Sequence, residues 1–458
     1  MRHGGTRQSV VFKDLFDRPV VACFDRPDSS SDGGALLLKG CDERLGLTQA
    51  MAACVRDPRQ QSKVAHSFHD LIRQRVYGIA CGWEDCNDAA RLGGDPVHKL
   101  LLDRDPLEGE ALASQPTLSR FENALGAKSL LRMGLVLAEA VIRRHRKRLR
   151  GRVRRITVDL DPTDDPTHGG QQLTFFNGHY DTWCYLPMAG FIQFDEEPEQ
   201  YLFGYLLRPG NANAKRGAIG MLRRILSRLR RAFAKAKLRV RLDGGFAGAE
   251  MFDFLEAEGV EYVVAMAANP VLKALAEPLM GQARQRSDNS AETEHVYGEC
   301  RYAAGSWRCE RRVIIKAEVV RLAGREPRDN ARFVVTNLRG RPQRIYELVY
   351  CQRAHIENRI KELHYGLAID RTSCTSFWAN QLRGLLTAAA YVLMQELRLR
   401  ARRSGCAAAQ VTTLRERLFK LGAWLERSVR RIVIHLPEQS PWRSEWCRLA
   451  RAVGAVPS

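Results

Sequence analysis

Between residues 154 and 210 the chain contains three apolar runs in close succession, and this arrangement restricts the folds that it can adopt. The runs are RRITVDLD, CYLPMAGFIQF and QYLFGYLLRPG. Their length, their β-branched residues and the turn residues between them are typical of buried strands. Three strands in a row predict an antiparallel meander, and the later segments LRVRLD, AEMFDFLEAEG and EYVVAMA predict a strand, a helix and a strand. The pattern therefore indicates an α/β domain.

Helical patterns lie on both sides of this region. The runs SFHDLIRQRVYGIACG and DPVHKLLL precede it, and the front part ends in the basic run RRHRKRLRGRVRR. A more polar stretch containing RRVIIKAEVVRL and ARFVVTNL predicts further strands, and a long helical pattern starts near Ile345. The predicted regions are 1–40, irregular; 41–150, helical; 151–274 together with 343–400, the α/β domain; 275–342, a β-rich insertion; and 401–458, basic and helical.

The chain is strongly basic. It has 458 residues with 72 Lys and Arg against 52 Asp and Glu, which gives a formal net charge of +20. The hydrophobic content of 45% and the charged content of 27% exclude the disordered, collagen-like and coiled-coil classes for the bulk of the chain. An excess of positive charge on this scale favours a polyanionic partner, with nucleic acid ahead of an anionic membrane surface. We expect the helical region 41–150, with its cationic end, to bind DNA.

The sequence shows no signal for a membrane or for export. It contains no apolar run of about 20 residues that could cross a bilayer, and its first residues, MRHGGTRQSVVFKDLF, lack the apolar core of a signal peptide. We therefore expect a cytoplasmic protein without a membrane partner. Its 12 cysteines should be reduced thiols, and Cys81 and Cys86 have the wrong spacing for a zinc knuckle.

Acidic residues stand at the ends of two predicted strands. Asp159 and Asp161 close the first strand, where alternation places both on one face, and Asp243 closes LRVRLD directly before two glycines. Ligands of open α/β sheets bind outside the carboxyl ends of the strands. A third acid, Glu357, follows Tyr350 and Arg353 at helical spacing, so these three residues share one predicted helix face. Turn formation and a helix ion pair are the alternative interpretations of these residues.

Carboxylates that converge from separate elements are suited to a hard divalent cation. Mg²⁺ prefers oxygen ligands and keeps room for water and phosphate oxygens. Two such ions can stabilise both the attacking and the leaving oxygen of an in-line phosphoryl displacement. The three acidic positions therefore favour metal-dependent phosphodiester chemistry.

With these residues in place, the sequence resembles the bacterial insertion-sequence DDE transposases whose third acid lies in a Tyr-x2-Arg-x3-Glu-x6-Lys signature. Tyr350, Arg353 and Glu357 match that spacing. The strings LDPTDDPTHGGQ, LRPGN, RLDGGFAG and QPTLSRFENAL are similar to the branch numbered thirteen-eighty among insertion sequences. The resemblance covers roughly residues 45 to 437.

The resemblance implies a ribonuclease H-like catalytic core, interrupted by the β-rich insertion and flanked by helical N-terminal and C-terminal regions. Asp161, which begins an Asp-x-Thr pattern, matches the first family acid, Asp243 the second and Glu357 the third. Asp159 stays open as an alternative first acid and metal ligand. The cofactor implied is Mg²⁺, with Mn²⁺ as an alternative, at two ions per active site. The partners implied are transposon-end DNA, target DNA and further copies of the chain in a dimer or larger synaptic assembly on the bacterial nucleoid.

The resemblance and the charge pattern also predict DNA-contacting residues. Arg353 could fork onto a phosphate and Tyr350 could hydrogen-bond the same backbone. Trp307, in the β-rich insertion, is a candidate for holding a flipped base, although core packing is the more common role of such a residue. The predicted basic helix is acid-free over residues 215–237 and suggests a surface that follows phosphates. Its candidates are Lys215, Arg216, Arg223, Arg224, Arg230 and Arg231.

One position departs from the signature. The family lysine would fall at position 364, which is His364, and Lys361, one helical turn after Glu357, is the nearest lysine that could replace it. A solvent-facing role for Lys361 is the alternative.

The predicted function is DNA transposition by cleavage at transposon ends followed by strand transfer. Two alternatives stay open. One is a metal-dependent nuclease that cuts DNA without joining it, and the other is an inactive transposase-derived DNA-binding protein.

Overall fold

The computed structural model describes residues 9–402 and 404–456, which form two compact units. Unit 1 comprises the described parts of Met1–Arg44, Gln60–Ser119 and Glu396–Ser458, and unit 2 comprises Leu45–Arg59 and Arg120–Gln395. Both predicted strand regions of the α/β pattern fall in unit 2.

The strands, in chain order, are β1 Ser9–Phe12, β2 Val20–Cys23, β3 Ser29–Ser30, β4 Arg155–Pro162, β5 Asp165–Pro166, β6 Phe175–Asn177, β7 Thr182–Tyr185, β8 Met188–Phe194, β9 Tyr201–Leu206, β10 Lys237–Leu242, β11 Glu261–Met266, β12 Glu294–Tyr302, β13 Arg311–Val320, β14 Arg328–Thr336, β15 Ala423–Arg427 and β16 Ile432–His435.

The α-helices are α1 Leu36–Leu45, α2 Leu47–Ala52, α3 Phe68–Cys81, α4 Cys86–Leu92, α5 Pro96–Leu101, α6 Gln115–Asn123, α7 Ala127–Leu149, α8 Ala218–Ala232, α9 Ala249–Ala257, α10 Pro270–Ser290, α11 Pro342–Ile345, α12 Ala354–Lys361, α13 Phe377–Arg400, α14 Val411–Leu414 and α15 Arg443–Val453. Among the described residues, no helix is long and apolar enough to cross a membrane.

An eight-stranded sheet organises unit 2, with the strand order β12-β13-β14-β11-β10-β4-β8-β9. The predicted meander is present, because β4, β8 and β9 are paired antiparallel. On its other side β4 pairs in parallel with β10, and β10 in parallel with β11. The carboxyl ends of β4 and β10 therefore lie side by side at one edge of the sheet.

Apolar burial holds this sheet together. Val158, Leu160, Val240 and Val263 in the central strands are completely buried, as expected for strands that are covered on both faces. Helix α8 buries Leu222, Ile225, Leu226 and Leu229 and leaves arginines exposed on its other face, which is the amphipathic pattern that the sequence predicts.

Part of the predicted β-rich insertion is helical. Residues 275–290 belong to α10, whose N-cap Asn269 accepts a hydrogen bond from the Leu272 amide and whose first turn contains Pro270. Strands β12, β13 and β14 follow, and β14 pairs antiparallel with β11. The β-rich residues thus extend the main sheet, because the free edge of β11 offers backbone groups that need partners.

The region 401–458, predicted to be basic and helical, contains the strands β15 and β16 as well as the helices α14 and α15. In unit 1, β15 and β16 pair antiparallel, and β15 also pairs with β3. The burial of Ala423 and Leu425 alternates with the exposure of Trp424, so the apolar residues have a period of two, which helical spacing cannot satisfy. In the predicted irregular segment 1–40, β1 and β2 form an exposed antiparallel hairpin. All regular elements from α1 to α7 are helices.

Close packing of α13 against β9 gives a test of the fold of unit 2. A Cβ added at Gly384 in α13 would lie 2.0 Å from the ring of Tyr205. We expect Gly384→Ala to lower the free energy of unfolding by about 1–3 kcal/mol, because overpacking outweighs the gain in helix propensity. Chemical denaturation measures this change.

The matched control is Gly134→Ala in α7, where the nearest atom to an added Cβ would be 3.7 Å away. This variant should be unchanged or more stable by up to about 1 kcal/mol. Equal destabilisation by both substitutions would contradict the packing of α13 on β9.

Candidate active site

Two acidic residues meet at the carboxyl edge of the central parallel strands. Asp161 lies near the end of β4, and Asp243 directly follows β10. The register pairs Asp159 with Arg241, so Asp161 and Asp243 stand at corresponding places two residues further along their strands. Asp161 is buried, whereas Asp243 is partly exposed and accepts a hydrogen bond from the Gly245 amide at 2.8 Å. This is the edge at which open α/β sheets bind ligands.

The third acid is carried by a helical segment that runs without interruption from Pro342 to Gly366. Within it, α11 and α12 are joined by the π turn Tyr346–Tyr350 and the 3₁₀ turn Cys351–Arg353. Arg353 donates from one Nη to Asp161 Oδ1 and, at 3.4 Å, to Asp243 Oδ2. Glu357 lies one turn further on and is exposed. The Arg353 guanidinium thus connects the segment that carries Glu357 to both strand ends.

Negative charge exceeds positive charge at this place. The pKa of Asp161 is raised to about 7, because burial and the neighbouring carboxylates of Asp243, Glu357 and Asp159 together outweigh the opposing effect of Arg353. All donors in the trio are carboxylate oxygens, which is the donor set of Mg²⁺ and Mn²⁺. The residues present therefore fit a hard divalent cation that would add the missing positive charge.

In this arrangement the carboxylate oxygens of Asp161, Asp243 and Glu357 are not close enough to one another for all three to bind the same ion. Among the described residues, the one group of three potential metal ligands within 4.8 Å of one another is Asp32, Cys81 and His98 in unit 1. In the candidate active site the Arg353 guanidinium contacts both aspartates, so it occupies space between them that a cation would use.

The unit 1 group has the character of a buried ion-pair network. Asp32 receives hydrogen bonds from Trp83 Nε1 at 2.7 Å and Lys420 Nζ at 2.8 Å, and it contacts His98 Nε2 at 2.8 Å. Hydrogen bonds and the His98 charge hold the pKa of Asp32 at about 2 in spite of its burial, while burial raises that of the Cys81 thiol. A carboxylate already paired with an ammonium group next to a neutral thiol is a poor metal site.

Asp159 and Asp161, which the sequence leaves as alternatives for the first acid, have different surroundings in the structure. Asp159 is completely buried and bonds Arg241 through both oxygens, at 2.7 and 2.8 Å. Gln200 donates a further hydrogen bond to it at 3.1 Å. With its acceptors used in this way, Asp159 is a partner of Arg241, and Asp161 is the aspartate of β4 that lies beside Asp243.

The remaining residues of the signature differ in burial and contacts. Tyr350 is half-buried against the core beneath the helical segment, and burial raises its pKa while Arg353 opposes the shift. Lys361 is exposed. His364, at the position of the family lysine, contacts Thr163 Oγ1 through Nε2 and Asp370 Oδ2 through Nδ1, both at 3.1 Å. The imidazole thus joins the helical segment to the residue two positions after Asp161.

Trp307 lies between β12 and β13 and is packed on other side chains. Its ring makes edge contacts with Phe252 at a centroid distance of 4.9 Å and with Tyr302 at 5.4 Å. The Arg311 guanidinium covers the ring at 5.2 Å. These contacts agree with the core-packing alternative for this residue.

The predicted basic surface is partly engaged in contacts within unit 2. Arg216, Arg223, Arg224, Arg230 and Arg231 are exposed and Lys215 is half-buried. Arg230 forms an ion pair with Glu258, and the Arg223 guanidinium lies 5.5 Å from the Phe254 ring centroid. Cationic side chains nevertheless remain accessible along the outer face of α8.

Sequence reasoning missed Arg208, which follows β9. It is buried and donates to Leu186 O at 2.6 Å and to Ala214 O at 2.9 Å, while its Nη2 has no hydrogen-bond partner. Burial lowers its pKa to about 10, although the nearby Tyr180 and Asp243 oppose the shift. The signal lay in the string LRPGN, where a cation ends an otherwise apolar strand.

Comparison with known proteins gives two findings. The family model described as transposase DDE domain group 1 matches residues 12–457. Among solved structures, the chain is similar to the one titled "Cryo-EM structure of piggyBac transposase synaptic complex with hairpin DNA (SNHP)", at 9% sequence identity and a TM-score of 0.43, covering 83% of this chain and 78% of that chain. No curated protein matches.

Removing the charge of Asp161 and removing the charge of Asp159 should change the free energy of unfolding in opposite directions. The pKa of Asp161 is raised from 3.8 to about 7, so the unfolded chain loses this proton first as the pH rises. Its ionisation therefore costs stability progressively between about pH 4 and pH 7 and fully above that. We expect Asp161→Asn to raise the free energy of unfolding by roughly 2–4 kcal/mol at pH 8 relative to its effect at pH 4. Urea denaturation in EDTA measures this change.

Asp159→Asn, two residues earlier on the same strand face, is the control. It leaves the buried Arg241 guanidinium without its counter-charge and should destabilise the chain by about 3–5 kcal/mol. Stabilisation by Asp159→Asn, or the same loss from both variants, would refute the assignment of the two aspartates.

Proposed function

Because the chain belongs to the transposase DDE domain group 1 family, we propose that it cleaves DNA at transposon ends and transfers the freed 3′ strand to target DNA. The observation that carries this proposal is the meeting of Asp161 and Asp243 at adjacent strand ends, with Arg353 of the Glu357 helix bonded to both. We assign Asp161, Asp243 and Glu357 as the catalytic residues. The narrower placement in the insertion-sequence branch numbered thirteen-eighty is part of the same proposal.

The strand order supports a ribonuclease H-like core. Strands β9, β8 and β4 are antiparallel neighbours, and β4, β10 and β11 are parallel neighbours. The five core strands, in chain order, are β4, β8, β9, β10 and β11. The first acid, Asp161, lies on the first of them, the second, Asp243, follows the fourth, and the third, Glu357, lies on a helix beyond the fifth. This is the placement that the family resemblance implies.

Asp161, Asp243 and Glu357 would hold the divalent cations that the family requires, with two Mg²⁺ ions, or Mn²⁺, as our proposal. The bound cations would stabilise charge on the attacking and leaving oxygens of the phosphodiester. Asp161 would have to lose its proton, and Arg353 would have to release the aspartates. The Nε of Arg353 has no hydrogen-bond partner, so the guanidinium is incompletely satisfied where it lies and could turn its fork to a DNA phosphate.

The partners proposed are transposon-end DNA, target DNA and further copies of this chain. Two ends must be joined in one event, which requires a dimer or a larger synaptic assembly. The accessible arginines of α8 would contact phosphates, and such contacts give affinity that falls steeply with salt without specifying sequence.

Charge removal at the acids should separate catalysis from binding. We expect Asp243→Asn and Glu357→Gln each to reduce Mg²⁺-dependent cleavage by roughly 100-fold or more, with DNA affinity kept or raised because negative charge is lost. The substrate is the DNA that flanks the coding sequence, and gel assays measure cleavage and binding on the same preparation.

Glu310→Gln is the matched control, since Glu310 is an exposed carboxylate outside the site, and it should retain full cleavage. Full cleavage by Glu357→Gln would refute the active-site assignment. The same reaction with added target DNA tests strand transfer, because cleaved ends that never join the target would favour the nuclease alternative.

A further inference from the structure

The connection between β4 and β8 presents aromatic side chains to solvent beside the candidate active site. Its strands β5, β7 and β6 form a small sheet of their own. Phe176 is 52% exposed, Trp183 57% and Tyr180 37%. Exposed aromatic clusters of this kind mark binding surfaces more often than isolated apolar residues do.

Strand register places two of these rings together. Phe176 is paired with Trp183 across β6 and β7, and their ring centroids are 6.4 Å apart in an edge-to-face arrangement. Phe175, the preceding residue, is paired with the buried Cys184. Because successive strand residues point to opposite faces, Phe176 and Trp183 share the outer face and Phe175 lies on the other.

Hydrogen bonds fix the backbone that carries the two rings. The Thr167 amide donates to Trp183 O at 2.9 Å, and Tyr185 Oη donates to Gln172 O at 2.7 Å. Asn177 Nδ2 donates to Gly210 O at 3.0 Å. A surface ordered before binding loses little conformational entropy when a ligand binds.

The chain path brings this surface to the acids. The connection leaves β4 within a few residues of Asp161, and the Thr163 amide donates to Pro187 O at 3.0 Å where the connection returns to β8. Tyr180, in the turn between β6 and β7, lies within electrostatic reach of Asp161 and Asp243.

Charge indicates what the surface can bind. The connection contains no Lys or Arg between Thr163 and Pro187, whereas Asp164, Asp165 and Asp181 are present. Such a segment is a poor partner for phosphates. The uncharged faces of nucleotide bases, which stack on aromatic side chains irrespective of sequence, suit it.

We propose that Phe176 and Trp183 form a stacking surface for unpaired bases next to the scissile phosphate. The inference rests on the proposed function, since it assigns part of the DNA site of the same enzyme. It also moves the base-holding role that the sequence suggested for Trp307 to residues whose rings are accessible.

Equilibrium binding by the full chain in EDTA tests the proposal without any cleavage. The probes are a short duplex and the same duplex with a run of unpaired adenines, one of them 2-aminopurine. We expect Trp183→Ala and Phe176→Ala to weaken binding of the unpaired probe by roughly 5- to 100-fold and to abolish its fluorescence quenching. Affinity for the paired duplex should stay unchanged.

Phe175→Ala is the control on the opposite face and should behave as the parent chain, while Trp183→Phe should restore quenching. Equal loss for both probes, or loss in neither, would overturn the stacking surface, as would stronger self-association of the parent chain than of Trp183→Ala, which would indicate a protein contact. A chain that cleaves DNA but shows no difference between probes refutes this inference alone. A chain that stacks unpaired bases but never cleaves refutes the proposed function alone.

Discussion

The buried guanidinium of Arg241 joins the three elements that carry the proposed catalytic acids. It lies on β10, two residues before Asp243, and forms an ion pair with Asp159 on β4, two residues before Asp161. It also donates to Val349 O at 3.1 Å, in the helical segment that carries Glu357. A buried ion pair adds little net stability because desolvation offsets its attraction. Its directed bonds instead fix the positions of the two strands and the helix relative to one another. The positions of Asp161, Asp243 and Glu357 are set by these three elements.

The site beyond Arg241 is held in an electrostatically unfavourable state. Burial and three nearby carboxylates act on Asp161 together, and Arg353 is the cation that opposes them. An acid that resists ionisation in the absence of metal reduces stability at neutral pH. Such a cost is common where function needs a concentration of like charge. The arrangement is understandable if a cation and a phosphate complete the charge balance.

The sequence predicts much of this site and leaves specific parts undecided. Strand-end position identifies Asp161 and Asp243, and helical spacing identifies Arg353 and Glu357. Period-two alternation places Asp159 and Asp161 on the same face, so only the partner Arg241, 82 residues away, distinguishes them. The packing of Trp307 on Phe252 likewise depends on contacts distant in sequence. The strands β15 and β16 were missed because a basic segment with regularly spaced leucines fits a helix equally well, and pairing with β3 decides the outcome.

Arg353 and Glu357 differ in exposure although helical spacing places them on one face of the segment. Arg353 ends the 3₁₀ turn Cys351–Arg353 and contacts the aspartates at both strand ends. The four α-helical steps from Arg353 to Glu357 then rotate the next side chain by about 40°. Glu357 consequently stands at the margin of the cluster, exposed to solvent, while Arg353 lies inside it. A carboxylate at that margin is accessible from solvent, and the adjoining π turn, a feature concentrated at functional sites, marks where the segment departs from regular geometry.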